Sequence, residues 1–146
     1  MKPSARTLSV AYLWALVSFL LLDAVWLSLV GPRLYKPALG ALMAPEVDWL
    51  AAVLFYAIYL SGLLVFAIAP ALAEGAAGSA GSALWRGAFF GLVAYATYDL
   101  TNQATLRDWP WAITIADLVW GSFVSGVSAW AAARLTSRRA NPARAR

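Results

Sequence analysis

The stretch LSVAYLWALVSFLLLDAVWLSLV, residues 8–30, decides the fold. Its single ionisable residue is Asp23, and Gly31-Pro32 stops it. At about 1.5 Å of rise per helical residue it is long enough to cross a hydrocarbon core of about 30 Å. Lys2 and Arg6 precede it, which raises the alternative of a cleaved signal peptide. The apolar core of such a peptide is roughly 7–15 residues. This run is longer, holds an aspartate and lacks a convincing small-residue cleavage site, so a membrane span is the better reading.

The rest of the chain agrees. Of its 146 residues 62% are hydrophobic and 12% charged, against about 25% charged in a soluble domain, and the mean hydropathy is +0.70. A soluble fold of this composition would expose large apolar patches and aggregate. The length suits one domain. Cysteine and histidine are both absent, which excludes disulfides, thiol nucleophiles, haem ligation through either residue and the usual zinc sites. No cofactor is expected, and any acid–base or cation chemistry falls to Asp, Glu, Tyr, Lys or Arg.

Three further apolar stretches follow, at about 50–69 (ending at Pro70), 83–104 and 111–133. None alternates like a barrel strand, and backbone groups in lipid must bond internally, so all four are read as helices. Residues 31–49 form a longer loop broken by Pro32, Pro37 and Pro45, with a short interfacial helix expected at 38–44. EGAAGSAGS, residues 74–82, reads as a flexible linker. Only a few residues around Arg107-Asp108 join the last two spans, which predicts a tight antiparallel hairpin. The expected fold is therefore an all-α four-helix up-down membrane bundle over residues 1–134, followed by a basic, disordered tail at 135–146.

Lys and Arg set the orientation. With the N-terminus inside, the cytoplasmic side carries Lys2, Arg6, Arg86, Arg134, Arg138, Arg139, Arg144 and Arg146, and the outer side Arg33, Lys36 and Arg107. Both termini are then cytoplasmic. Trp49, Trp109 and Trp111 fall at outer boundaries and Trp85 at an inner one, as an aromatic belt would place them.

Asp23, Asp99 and Asp117 lie within spans, where an ionisable group costs on the order of 3 kcal/mol or more. Counting rise from the span boundaries brings all three into one layer in the outer half of the bilayer. On the third span Gly87, Gly91, Tyr95, Asp99 and Asn102 form one stripe. On the fourth, Asp117, Gly121, Ser125 and Ser128 form a small, polar one. Gly87 and Gly91 permit close helix approach, while Tyr56 and Tyr59 of the second span reach the layer with phenolic donors. Asp23-Ala-Val-Trp26 is echoed by Asp117-Leu-Val-Trp120 on an oppositely directed helix, a weak hint of an inverted repeat.

The strings LLDAVWLSLV (21–30), APEVDWLAAVLFYAIY (44–59) and GLVAYATYDLTNQATLRDWPWAITIADLVWGS (91–122) resemble domain-of-unknown-function family 2177, small bacterial membrane proteins. The resemblance covers the chain to about residue 133. Its recognisable positions are Asp23, Trp26, Tyr98, Asp99, Thr101, Asn102, Asp117 and Trp120. It implies a four-helix protein of the bacterial inner membrane, with no assigned activity.

The candidate site comprises Asp23, Trp26, Tyr56, Tyr59, Tyr98, Asp99, Asn102, Asp117 and Trp120, read as binding or moving a proton, a cation or a cationic small molecule. Two alternatives stay open: acid–base chemistry on a lipid-borne substrate, or a layer of polar glue in a subunit of a larger complex. The expected partner is the lipid bilayer, with anionic lipid at the C-terminal tail and a second copy of the chain as further candidates. No nucleic-acid partner is expected.

Overall fold

The structure, a computed structural model, describes residues 2–40, 42–75 and 79–140. Its long helices are α1 (Ala5–Leu29), α2 (Trp49–Ala73), α3 (Ser79–Thr105) and α4 (Trp111–Ala140). An elbow joins the first two, made of a π turn at Gly31–Tyr35 and one α turn at Lys36–Leu39. Among the described residues α1, α2 and the Trp111–Arg139 part of α4 are each long and apolar enough to cross a membrane. The third helix is long enough but is diluted by Gly, Ser, Thr, Asp99, Asn102 and Gln103. The surface is apolar rather than polar: Leu13, Leu21, Val53, Ile58, Phe66, Phe89, Val119 and many others point outward. A lipid solvent explains that arrangement and water does not.

Local chemistry sets the helix ends. Ser4 caps α1 by accepting from the Thr7 amide at 3.2 Å, and Asp48 caps α2 by accepting from the Ala51 amide at 3.1 Å. Each satisfies a backbone donor left free by the first turn. Pro70 does not end the second helix as its sequence suggests. The π turn Leu64–Ile68 comes just before it, and the Ala69 amide bonds back to the Leu64 carbonyl. The elbow repeats the device, with the Lys36 amide bonded to the Gly31 carbonyl immediately ahead of Pro37. A proline ring cannot donate and crowds the carbonyl four residues back. The wider turn relieves that crowding and lets the helix continue. The short helix of the first loop thus falls at 31–39 rather than at 38–44.

Two other expectations shift. The linker at 74–82 is shorter, because α3 begins at Ser79; residues 76–78 lie outside the described residues. The basic tail is helical as far as Ala140, because Ala132, Ala133 and Thr136 are still buried against the neighbouring helices. Arg138 and Arg139 also suit the negative end of a helix. Residues 141–146 lie outside the described residues.

Side-chain contacts put the start of α1 and the end of α4 on one side. Arg6, Thr7 and Val10 of α1 share a groove with Thr136 and Arg139 of α4. Ser79 and Ser137 meet at 3.2 Å, and Arg86 of α3 bonds Glu74 after α2 at 2.9 Å. At the opposite end, Gln103, Trp109 and Thr114 close the α3–α4 hairpin. The Gln103 amide donates to the Trp109 carbonyl at 2.9 Å, the Trp109 indole donates to Thr114 Oγ1 at 3.1 Å, and Thr114 donates to Gln103 Oε1 at 3.1 Å. Asp108 turns the chain there with a φ of 57°, a conformation that Asp tolerates better than most residues.

The tightest packing is between α3 and α4. A Cβ on Gly91 would collide with the Gly121 carbonyl, and one on Gly87 would stand 2.7 Å from Ala129 Cβ and from the Ser125 carbonyl. Overpacking of this kind costs about 1–3 kcal/mol. We expect Gly91→Ala to lower the melting temperature in detergent by several degrees. Gly81→Ala, where nothing lies within 4 Å, should leave it unchanged or slightly higher. Differential scanning fluorimetry of the two variants checks this.

Candidate functional site

The three aspartates are all buried: Asp23 is 8% exposed, Asp117 8% and Asp99 0%. They differ in how they are satisfied. Tyr56 of α2 donates to Asp23 Oδ2 at 2.6 Å, tying α2 to α1. Tyr35 of the elbow donates to Asp117 Oδ1, and the Trp26 indole donates to Tyr35 Oη at 3.0 Å. Burial, reinforced by the bond to Asp117, holds the Tyr35 phenol above its usual range, so it stays protonated and donating at physiological pH. Among the described residues Asp99 has no hydrogen-bond partner on either oxygen. A carboxyl so placed carries the full cost of desolvation unless a proton or a cation offsets its charge.

Around these groups the helices supply aromatic walls. Trp26 and Trp120 stack at 4.3 Å with planes 7° apart, so the two Asp-x-x-Trp segments meet across the α1–α4 seam. Tyr59 bonds Ser125 Oγ at 2.6 Å and packs edge-on to Tyr95 at 6.2 Å between ring centres. Gly121 leaves the space that the Tyr95 ring occupies; a Cβ there would strike the ring. Tyr95 is within electrostatic reach of both Asp23 and Asp117, and Asp99 is within reach of Asp117. Among the described residues no Lys or Arg forms a salt bridge with these aspartates. Nor do any three His, Cys, Asp or Glu side chains converge closely enough to hold a metal ion.

A cavity of about 450 Å³ opens here, lined by Phe55, Tyr59, Ala94, Tyr95, Tyr98 and Asp117. Along the Trp49–Leu63 half the α2 backbone stands away from α3, bridged by side chains such as Tyr59 against Phe90 and Tyr95, while from the π turn onward the two helices pack closely. The two helices diverge from that turn and leave a cleft with an aromatic lining and a single carboxylate.

The structure thus brings together Asp117, Tyr59 and Tyr98 at the cavity, with Tyr56–Asp23 and Trp26–Trp120 beside it. Asp99 is fully buried and is not among the lining residues, while Tyr98 lines the cavity, is 61% exposed and stands edge-on to Trp109. Asn102 is half-buried, in the turn of α3 that follows Asp99. Phe55, Tyr95 and Tyr35 lie outside the sequence-derived set and join the site. Tyr95 belongs to the polar stripe of the third span, and that signal pointed to it. Tyr35 had no signal beyond being a tyrosine between two loop prolines, because its position depends on how the elbow folds back.

An all-helical protein with several long apolar helices, an outward apolar surface and a carboxylate layer inside is a multi-pass membrane protein. The chain belongs to the family described as Predicted membrane protein (DUF2177), whose model matches residues 8–134. No curated protein and no solved structure matches it.

Removing the Tyr56 hydroxyl leaves the Asp23 carboxylate without its donor. Tyr56→Phe should therefore cost about 1–3 kcal/mol of stability. Asp99→Asn replaces an unpartnered carboxyl with a neutral group of the same size, and is expected to be neutral or stabilising. Thermal unfolding of both variants in the same detergent tests the contrast.

Proposed function

We propose that this protein binds an organic cation with an apolar body in the cavity between α2 and α3, with Asp117 as its counter-charge. One observation carries the reading: four aromatic side chains, Phe55, Tyr59, Tyr95 and Tyr98, line one cavity together with the carboxylate of Asp117. Aromatic faces attract a cation through their quadrupole, most strongly where water is excluded. The volume lies in the range of small-molecule sites, about 300–1,000 Å³. Tyr95 adds a phenol to the lining, within electrostatic reach of Asp117. A bare metal ion suits this lining poorly, since the oxygen ligands are too dispersed.

The membrane arrangement that goes with this reading has four crossings, α3 being the fourth, with both termini on the cytoplasmic side of a bacterial inner membrane. Support comes from the eight-to-three distribution of Lys and Arg and from Phe89, Leu92 and Val93, which α3 turns outward as a lipid-facing helix would. The lack of native cysteine makes the arrangement directly testable. Arg107→Cys should react with a membrane-impermeant maleimide on intact spheroplasts, and Arg138→Cys only after permeabilisation. The reverse pattern would invert the topology.

A second reading is favoured by the Tyr56–Asp23 and Tyr35–Asp117 bonds: both fasten one element to another, as polar glue in a structural subunit would. Titration of the purified protein with tetraphenylphosphonium, followed by tryptophan fluorescence, separates the two. The cation-binding reading expects saturable quenching that weakens at least about tenfold, or roughly 1.4 kcal/mol, in Asp117→Asn. The carboxamide oxygen of that variant can still accept from Tyr35, so the fold is kept. Equal affinity in wild type and Asp117→Asn would leave the glue reading standing alone.

A further inference from the structure

At the end of the molecule where α1 begins and α4 ends, a groove of about 280 Å³ is lined by Arg6, Thr7, Val10, Thr136 and Arg139. Of the basic residues at this end, Arg86 is paired with Glu74 and Arg134 lies over the Trp130 ring at 5.6 Å, while Lys2 and Arg138 add further positive charge beside the groove. Among the described residues, Arg6 and Arg139 meet no carboxylate. Two guanidinium groups on one groove repel each other unless an anion lies between them. Thr136 gives a second, independent sign. It is 4% exposed, and among the described residues its buried hydroxyl has no hydrogen-bond partner, whereas buried polar groups in folded proteins are normally hydrogen-bonded. The first turn of α1 contains no acidic residue, so the positive end of that helix adds to the field.

We propose that this groove binds the phosphate group of an anionic phospholipid, gripped by Arg6 and Arg139 with Thr136 as a hydroxyl donor. Guanidinium forks match phosphate oxygens in geometry and charge. The groove stands at the end of two apolar helices, the depth at which a phospholipid headgroup lies, with the apolar side of Val10 toward the acyl chains. The site is about 25 Å along α1 from Asp23 and does not depend on the cation-binding reading.

The test uses the full-length protein in neutral detergent, with thermal unfolding measured after adding phosphatidylglycerol, phosphatidylcholine or inorganic phosphate. Phosphatidylglycerol should raise the melting temperature by several degrees and phosphatidylcholine by much less, since a ligand that binds only the folded state stabilises it. Arg6→Gln and Arg139→Gln, both at exposed positions, should each remove most of that shift. Thr136→Val should reduce the shift while leaving the lipid-free melting temperature unchanged or higher, because it removes an unpartnered hydroxyl. Arg107→Gln at the opposite end should keep the full shift. The proposal is overturned if phosphatidylglycerol has no effect, if inorganic phosphate alone reproduces the shift, or if Arg107→Gln loses it as completely as Arg139→Gln.

Discussion

The contact between α3 and α4 governs the rest of the structure, because here two backbones touch without side chains between them. Gly91 sits against the Gly121 carbonyl, and Gly87 against Ser125 and Ala129. In lipid, where apolar side chains gain little by leaving one apolar neighbour for another, such close approach is a main source of helix association. It has three consequences. The short hairpin at residues 106–110 can close on its Gln103–Trp109–Thr114 triangle. Asp99 and Asp117 come within electrostatic reach of each other. The Tyr95 ring is also seated over Gly121, which directs it toward the cavity.

The second helix meets this pair on different terms. From the π turn Leu64–Ile68 onward it packs against α3, and Ala67, Ile68 and Ala71 of that stretch are fully buried. Ahead of the turn it leans away, held by hydrogen bonds from Tyr56 to Asp23 and between Tyr59 and Ser125. The wide turn that accommodates Pro70 is therefore also where the helices part. A proline that costs a straight helix about 3 kcal/mol or more here accompanies a cleft with aromatic walls. The elbow follows the same rule on a smaller scale: its π turn ahead of Pro37 brings Tyr35 back over the aspartate layer.

Much of the candidate site was legible in the sequence. Asp23, Asp99 and Asp117 stand out because carboxylates are expensive at membrane depth, and helical rise alone puts them in one layer. The stripes containing Gly91 and Gly121 follow from the 3.6-residue period. The difference among the three carboxylates was not legible. Whether each finds a donor depends on the rotation of neighbouring helices and on the path of a loop, and neither leaves a periodic mark. Tyr35 is 82 residues from Asp117 in the chain, so no local pattern connects them.

The sequence by itself determined that this is an all-helical membrane protein with carboxylates inside it, because length, apolarity and the absence of His and Cys are additive properties of the chain. It also determined the tight final hairpin, since a few residues permit nothing else. Tertiary structure decided that, among the described residues, Asp23 and Asp117 find donors and Asp99 does not, that Asp117 lines an aromatic cavity, and that α4 stays helical to Ala140. Those outcomes rest on side chains from distant segments meeting at a few ångströms. They depend on how the helices rotate and diverge, which hydrophobic periodicity does not encode.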